Sequence, residues 1–543
     1  PVIEPGDLAS VAISPDGQKI VFLAPVDGVP HLWLRQLDSV ESRPLPGTAW
    51  SSMPFWSPDN RAVGFFAEGR LKRIDLAGGL VRTLTEAVVG LGGAWNQDGV
   101  ILFAENPASA ITRISADGER RAAVTRLEPG QSGHNFPHFL PDGRHFFFSI
   151  TGAPEIRGVY LGQLDGAAPR KLLIAESSAV YASGHVLFVR DATLIAQPFD
   201  SSTYELSGNP FPVATGVMGS MLTGVYSVLS ASTTGTIAFR VGSAQFAREL
   251  VWMDRSGKPI GTVGNRDPGF YASPSASPDG ASLALLRRVA GNSDVWLLET
   301  KRGVLSRFTD HPAEDIFPLW ARDGSRIVFS SNRNGTHDLF QKPVSGAGSE
   351  ELLLPGDLRE TFASDWSPDN QFLLFQRRSD QTGFDLWAMP LRGNGQPFAV
   401  SQTEFHERDG QFSPDGKWIA FYSNRSGQFE VYVQPFPGPG PAVRVSTGGG
   451  AQQRWRPDGR ELFYIALDGR FMAASLTATA NNQLDVGIPV PLFAAHVGHV
   501  LNAIGAQYIV SNDGQRWLMN TLVQGNNPTP IRLILNWHPR PPG

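Results

Sequence analysis

A tetrapeptide that recurs along the whole chain constrains this sequence more than any other feature. Ser-Pro-Asp-Gly, or a one-letter variant, occupies residues 14–17, 57–60, 277–280, 367–370 and 413–416. Looser copies lie at 96–99, 140–143, 321–324, 456–459 and 511–514. Two degenerate copies around Gly184 and Gly235 keep only the glycine and the apolar run after it. The twelve copies follow one another at about 45 residues, the period of a four-stranded propeller blade.

Each copy reads as a small antiparallel sheet. Four residues before the last turn residue sits a large apolar side chain, as in Trp56, Trp95, Phe139, Trp320, Trp366, Phe412 and Trp455. Proline presets φ for the turn, aspartate bonds its own backbone two residues on, and Gly or Asn tolerates positive φ. An apolar strand follows at once, at 19–22, 326–330 and 418–422. A second hairpin is marked by Asn, Arg and Gly at 331–335 and 423–427. After it comes an acidic-apolar-aromatic triplet, at 294–296, 338–340 and 430–432, whose alternation suits a half-buried third strand. A fourth strand, such as 305–309 or 443–446, closes the unit. Helical periodicity is nearly absent. One such sheet cannot bury both faces alone, so neighbours must stack, with the large first-strand aromatics packed between them.

The fold expected is therefore all-β, with twelve four-stranded blades. Rings close with four to eight blades, so twelve fit two six-bladed β-propellers in tandem; one twelve-bladed ring is the alternative. The natural division falls in the poorly patterned stretch 244–255. It gives an N-terminal six-bladed propeller over 1–248 and a C-terminal one over 249–543. Residues 250–254 and 259–263 read as two strands that can be the outer strands of a sixth blade. The final copy supplies only three, at 508–511, 516–520 and 531–537. Its fourth comes either from the N-terminal end or from the region of Leu250, and the sequence leaves the closure open.

Four blocks carry a resemblance. They are residues 251–264 (VWMDRSGKPIGTVG), 412–440 (FSPDGKWIAFYSNRSGQFEVYVQPFPGPG), 455–473 (WRPDGRELFYIALDGRFMA) and 533–537 (LILNW). The repeats resemble the TolB-like, or tricorn-like, propeller unit over the whole chain. More narrowly, these blocks resemble the C-terminal propeller of bacterial membrane-bound serine/threonine protein kinases. That resemblance implies an attached cytoplasmic kinase domain and one membrane-spanning helix in the full-length protein. It also implies an extracytoplasmic location, periplasmic or at the cell surface, for this region as a sensor. The chain opens at Pro1 without a basic segment followed by an apolar one, and reads as a portion of a longer product.

Several chemistries are excluded by what the sequence lacks. There is no Gly-rich loop, no H-R-D (the nearest string is Glu407-Arg408-Asp409) and no D-F-G, so phosphoryl transfer cannot occur in this polypeptide. No G-x-S-x-G elbow, no H-E-x-x-H and no phosphate-binding loop occur. The absence of cysteine removes disulfides, thiolate metal sites and Cys nucleophiles. A net charge of −5, from 46 Lys+Arg against 51 Asp+Glu, argues against a nucleic acid partner. No apolar run of about 18 residues is present to span a membrane as a helix. The histidine pairs His134/His138 and His496/His499 supply too few ligands for a structural zinc site. No cofactor and no metal are expected.

Candidate ligand contacts follow from ring geometry. The first strand of each blade lines the channel, so residues five to nine positions before each turn end should converge on its mouth. In the second half these are Asp315, Asp365, Glu407, Arg408, Asp409, Gln452, Gln453 and Arg454; in the first they are Met53, Phe55, His134, Asn135 and His138. The second mouth is expected to be charged and the first more apolar. Arg408 and Arg454 are the candidate anion partners of a polar ligand or peptide terminus. The competing reading pairs these charges with one another around a solvated pore. The function expected is a non-catalytic sensor or scaffold that binds a peptide, glycan or protein and signals to a kinase. Two alternatives stand beside it. One is a propeller enzyme, a polysaccharide lyase or glycosidase, in which Glu407, Asp409 and His134 supply acid and base groups. The other is a free-standing periplasmic assembly protein similar to TolB.

Overall fold

The computed structural model describes residues 10–539 apart from 27–28, 88–89, 108, 153–154, 176, 218–228, 242–247, 268–269, 290–291, 346–347, 358, 380–381, 394, 439, 480–482, 498–499, 502–504 and 523–529. Among the described residues there is no helix, and the strands form twelve antiparallel sheets. Nine sheets have four strands, two have five and one has three, where twelve four-stranded blades were expected. The fold is all-β.

The repeated tetrapeptide makes the hairpin between first and second strands, and its serine does more than the sequence suggests. In the sheet Glu407–Phe412, Trp418–Ser423, Glu430–Pro435 and Val443–Arg444, the Ser413 hydroxyl donates to Asp415 Oδ1 and accepts the Trp418 N–H at 3.0 Å. Asp415 accepts the Lys417 N–H at 3.1 Å, two residues on. Gly416 sits at φ +71 and its N–H reaches Ser413 O at 2.9 Å. The same set recurs at Ser57, Ser277 and Ser367, each 2.6 Å from its aspartate. The hydroxyl thus satisfies a second-strand N–H that the tight turn would otherwise leave unpaired.

The core lies between neighbouring sheets. Trp366 packs on Ala321, Val328 and Leu339 of the preceding sheet, and Phe412 on Leu374, Leu386 and Ala388. The indole N–H of Trp56 donates to Ala12 O at 2.9 Å, and that of Trp455 to Gln411 O at 3.2 Å. In both, the acceptor is the residue five before the turn end of the adjacent first strand, so the contact repeats with the motif.

A second device recurs in the first strands. Met53, Phe136, Ser273, Phe317, Asp409 and Gln452 have φ between +47 and +57, and Gly92 has φ +85; each stands seven residues before its turn end. The ladder shifts register there, between Ser52/Phe55, Asn135/His138, Ala272/Ser275, Ile316/Leu319, Arg408/Gln411 and Ala451/Arg454. These are β-bulges, and they reverse which face the following side chains take.

Contacts divide the chain into two compact units. One comprises 1–245 with 524–543, the other 246–523. In the first, the strands Val11–Ile13, Ser52–Trp56, Gly93–Trp95, Gln131–Phe139, Val180–Ala182 and Leu229–Ala231 touch in that order, and the last touches the first. In the second, Phe270–Ala276, Asp315–Trp320, Thr361–Trp366, Glu407–Phe412, Ala451–Trp455 and Tyr508–Val510 do the same. Each unit holds six of the sheets.

The chain ends differ from the division expected at 248/249. Ile531–Ile534 pairs with Ile237–Arg240, so this strand returns to the first unit instead of lying with 249–543. Arg248–Met253 and Pro259–Asp267 are outer strands, as their pattern suggests, but of the sheet begun by Tyr508–Val510 and Trp517–Leu522. Two sheets are therefore built from distant parts of the chain. The physical reason is edge protection: Ile237–Arg240 is buried throughout and needs a partner on its outer side. Ile534 and Trp537 also pack on the cluster containing Leu187, Ile237 and Phe239.

Deleting residues 531–543 should expose that edge. The expected result is a loss on the order of 3 kcal/mol of stability in the first unit. Hydrogen exchange should show faster exchange at Ile237–Arg240 while strands of the second unit keep their protection.

Candidate functional site

A cavity of about 500 Å³ lies within the second unit. Every one of its six sheets sends in a residue from one repeat position, five before the turn end: Ser275, Leu319, Asp365, Gln411, Arg454 and Ile509. At the turn end of the strands it is lined by Pro278, Pro368, Pro414 and Pro457. At the other end of the sheet Glu407–Phe412 and its neighbours stand Arg408, Gln376 and Tyr422.

Of the residues expected at this mouth, Asp365, Arg408, Asp409, Gln452 and Arg454 line the cavity. Asp365 lies 3.3 Å from Arg322 Nη2 and accepts the N–H groups of Trp366 and Phe412 at 2.9 Å. Asp409, held at φ +52 by the bulge, meets Arg454 Nη1 at 2.9 Å across adjacent sheets. Burial pushes both carboxyls above the usual aspartate range, opposed by Arg322 and Arg454 respectively. Burial disfavours charge on Arg454, but Asp409, together with Tyr508 and Asp365, outweighs it and holds the guanidinium's pKa raised. Gln452 bridges Val500 O, at 2.5 Å, and the Gln507 N–H, at 2.8 Å.

Asp315, Glu407 and Gln453 do not face the cavity. Asp315 and Glu407 stand two residues before the left-handed position, on the parity that the strand turns inward between sheets, and both are fully buried. Asp315 pairs with Arg333 at 3.0 Å, and Glu407 with Arg425 at 3.2 Å, Thr403 Oγ1 at 2.6 Å and Ser423 Oγ at 3.2 Å. Both arginines come from the second-hairpin motif, so its Arg ties that turn to the first strand. Gln453 donates to Asp409 O and, at 3.4 Å, to Ala420 O.

In the first unit His134 occupies the position of Asp315 and Glu407. It is fully buried, 2.8 Å from both Thr125 Oγ1 and Gln131 Oε1. His138 takes the position of Asp365 and Arg454 and is half-buried. Burial pushes both imidazoles down to about 4. Asn135 is buried near Pro107 O, while Met53 and Phe55 belong to an apolar cluster with Phe66, Phe103 and Phe136. His496 is exposed, and His499 lies outside the described residues. No group of three metal-ligating side chains occurs among the described residues.

First-strand spacing missed Gln376 and Tyr422, which sit on second strands, and the turn prolines. The prolines were already marked by the repeat, whose equivalent positions must surround one axis.

A family model described as the TolB beta propeller domain matches residues 256–407. An uncharacterized protein of Agrobacterium fabrum is 24% identical over 218 residues, 38% of this chain and 70% of that protein. The Tol-Pal system protein TolB of Francisella tularensis is 23% identical over 160 residues, 29% of this chain and 36% of its own length. The structure of a putative TolB from Agrobacterium tumefaciens is 18% identical with a TM-score of 0.39, over 50% of this chain and 97% of that one.

Because His134 titrates at about 4 when folded and near 6.5 when unfolded, the unfolded chain binds more protons between those values. The stability of the first unit should therefore be full above about pH 6.5 and fall as pH drops toward 4. Urea midpoints measured from pH 7 to pH 4.5 should decline, and His134→Gln should flatten the slope.

Proposed function

This chain is a TolB-like β-propeller repeat protein, and we propose that it is a non-catalytic binding module of two six-bladed propellers, one in each unit. Its second propeller takes a peptide, glycan or protein ligand into the central cavity. The observation that carries this reading is the convergence of one residue from each of six sheets on a cavity of about 500 Å³ that mixes apolar walls with charged groups. The ring of first-strand contacts in each unit, in which the last strand meets the first, supports the six-bladed arrangement. Both cavity carboxylates are engaged by guanidinium groups, an arrangement suited to recognition more than to proton transfer.

The similarity of residues 251–264, 412–440, 455–473 and 533–537 to kinase-linked propellers supports a finer proposal. In it the module is the extracytoplasmic sensor region of a bacterial serine/threonine kinase, and ligand occupancy is passed to the attached kinase domain. No helix of the described residues is long and apolar enough to cross a membrane, so the proposal places that span elsewhere in the full-length protein.

Three measurements test these proposals. The open reading frame around this chain should encode a kinase and an apolar helix; a frame with neither overturns the kinase link. A thermal-shift screen of peptides and oligosaccharides should find a class that stabilises the chain, and Leu319→Trp, which fills the cavity, should weaken that response at least tenfold. Product formation from any of them by the purified chain overturns the non-catalytic reading.

A further inference from the structure

Three guanidinium groups line the cavity of the second unit, and they are not equivalent. Arg322 faces Asp365 and Arg454 faces Asp409. The Arg408 side chain makes no ion pair and no hydrogen bond among the described residues, although its charge helps to lower the pKa of the Asp409 carboxyl. It is only 9% exposed, and its Nε is buried without an acceptor. The guanidinium lies 4.8 Å from the centre of the Phe384 ring, which offsets part of the lost hydration but supplies no acceptor. A cation left in this state is costly to the empty protein, because its Nε–H has given up water without gaining an acceptor.

The groups beside it are donors as well. Tyr422 stands opposite Arg408 in the ladder, and its phenol, raised by burial, keeps its proton. The Gln376 carboxamide oxygen accepts the Asp409 N–H at 3.0 Å, which leaves its NH2 without a hydrogen bond among the described residues. Three cations against two carboxylates leave one unpaired positive charge, and that charge is on Arg408.

We propose that Arg408, with Gln376 and Tyr422, binds the C-terminal carboxylate of a peptide that enters the cavity from the proline-lined end. This rests on the reading of the cavity as a ligand site and names the group it recognises. A carboxylate carries the single charge that the cavity lacks, and its planar pair of oxygens matches the guanidinium fork. A phosphate dianion would exceed the one unpaired cation. Pro414 lies six residues beyond Arg408, at most about 20 Å along an extended chain. That depth suits a peptide lying along the axis with its terminus at Arg408 and its preceding residues against Pro278, Pro368, Pro414 and Pro457.

The test uses the full 543-residue chain, immobilised, and a mixture of N-acetylated pentapeptides offered as free acids and as C-terminal amides. The free acids should be retained at least tenfold over the amides, and Arg408→Met should abolish that preference. Because the charge it removes is unpaired, Arg408→Met should also raise the thermal midpoint of the unliganded chain; a lowered midpoint marks Arg408 as a structural residue and overturns the proposal. Equal retention of acids and amides overturns it, as does a preference that survives Arg408→Met. Retention of a uronic acid trisaccharide in place of the peptides overturns the peptide assignment while leaving the cavity a ligand site. If no probe is retained and Leu319→Trp behaves as the parent chain, the cavity reading falls and this proposal with it.

Discussion

A single residue held at positive φ in each of seven first strands governs which side chains turn between sheets and which turn away from them. An L-residue in that conformation costs roughly 1–2 kcal/mol, and six of the seven are not glycine. The strain is tolerated because the sheets on either side fix the strand. The bulge it creates reverses the alternation of side chains. Residues before it, such as Asp315, Glu407 and His134, turn inward between sheets and are satisfied there. Residues two past it, such as Leu319, Gln411 and Arg454, turn to the cavity.

The same bulge arranges the charges. Asp409 is itself the left-handed residue, and its position lets it reach Arg454 on the next sheet, while its N–H fixes the carboxamide of Gln376. Arg408, one residue earlier, falls against the Phe384 ring and forms no ion pair among the described residues. The Asp409–Arg454 pair and the unpaired Arg408 are thus both placed by the same bulge.

Closure is solved by exchange of strands along the chain. The first unit completes its last sheet with Ile531–Ile534, and the second completes its last sheet with Arg248–Met253 and Pro259–Asp267. Each exchange covers an edge that would otherwise expose unpaired backbone, and each makes the stability of a unit depend on residues far away in sequence.

The amino-acid sequence alone determined the all-β class, the twelve units, the hairpin at each tetrapeptide and the burial of first-strand aromatics such as Trp56, Trp366 and Phe412. Those features are set by contacts within about 45 residues, where turn chemistry and alternation are written directly into the chain. It also marked Asp365, Arg408, Asp409 and Arg454 by their distance from the turns. Which of these side chains finds a partner was decided only by the tertiary structure, as were the inward turn of Asp315, Glu407 and Gln453 and the destination of Ile531–Ile534. The reason is physical: a bulge flips side-chain parity without any residue type that announces it, as Met53, Phe317 and Asp409 show. The partners of Arg454 and of Ile237–Arg240, in turn, come from other sheets and from the far end of the chain, and local pattern carries no information about them.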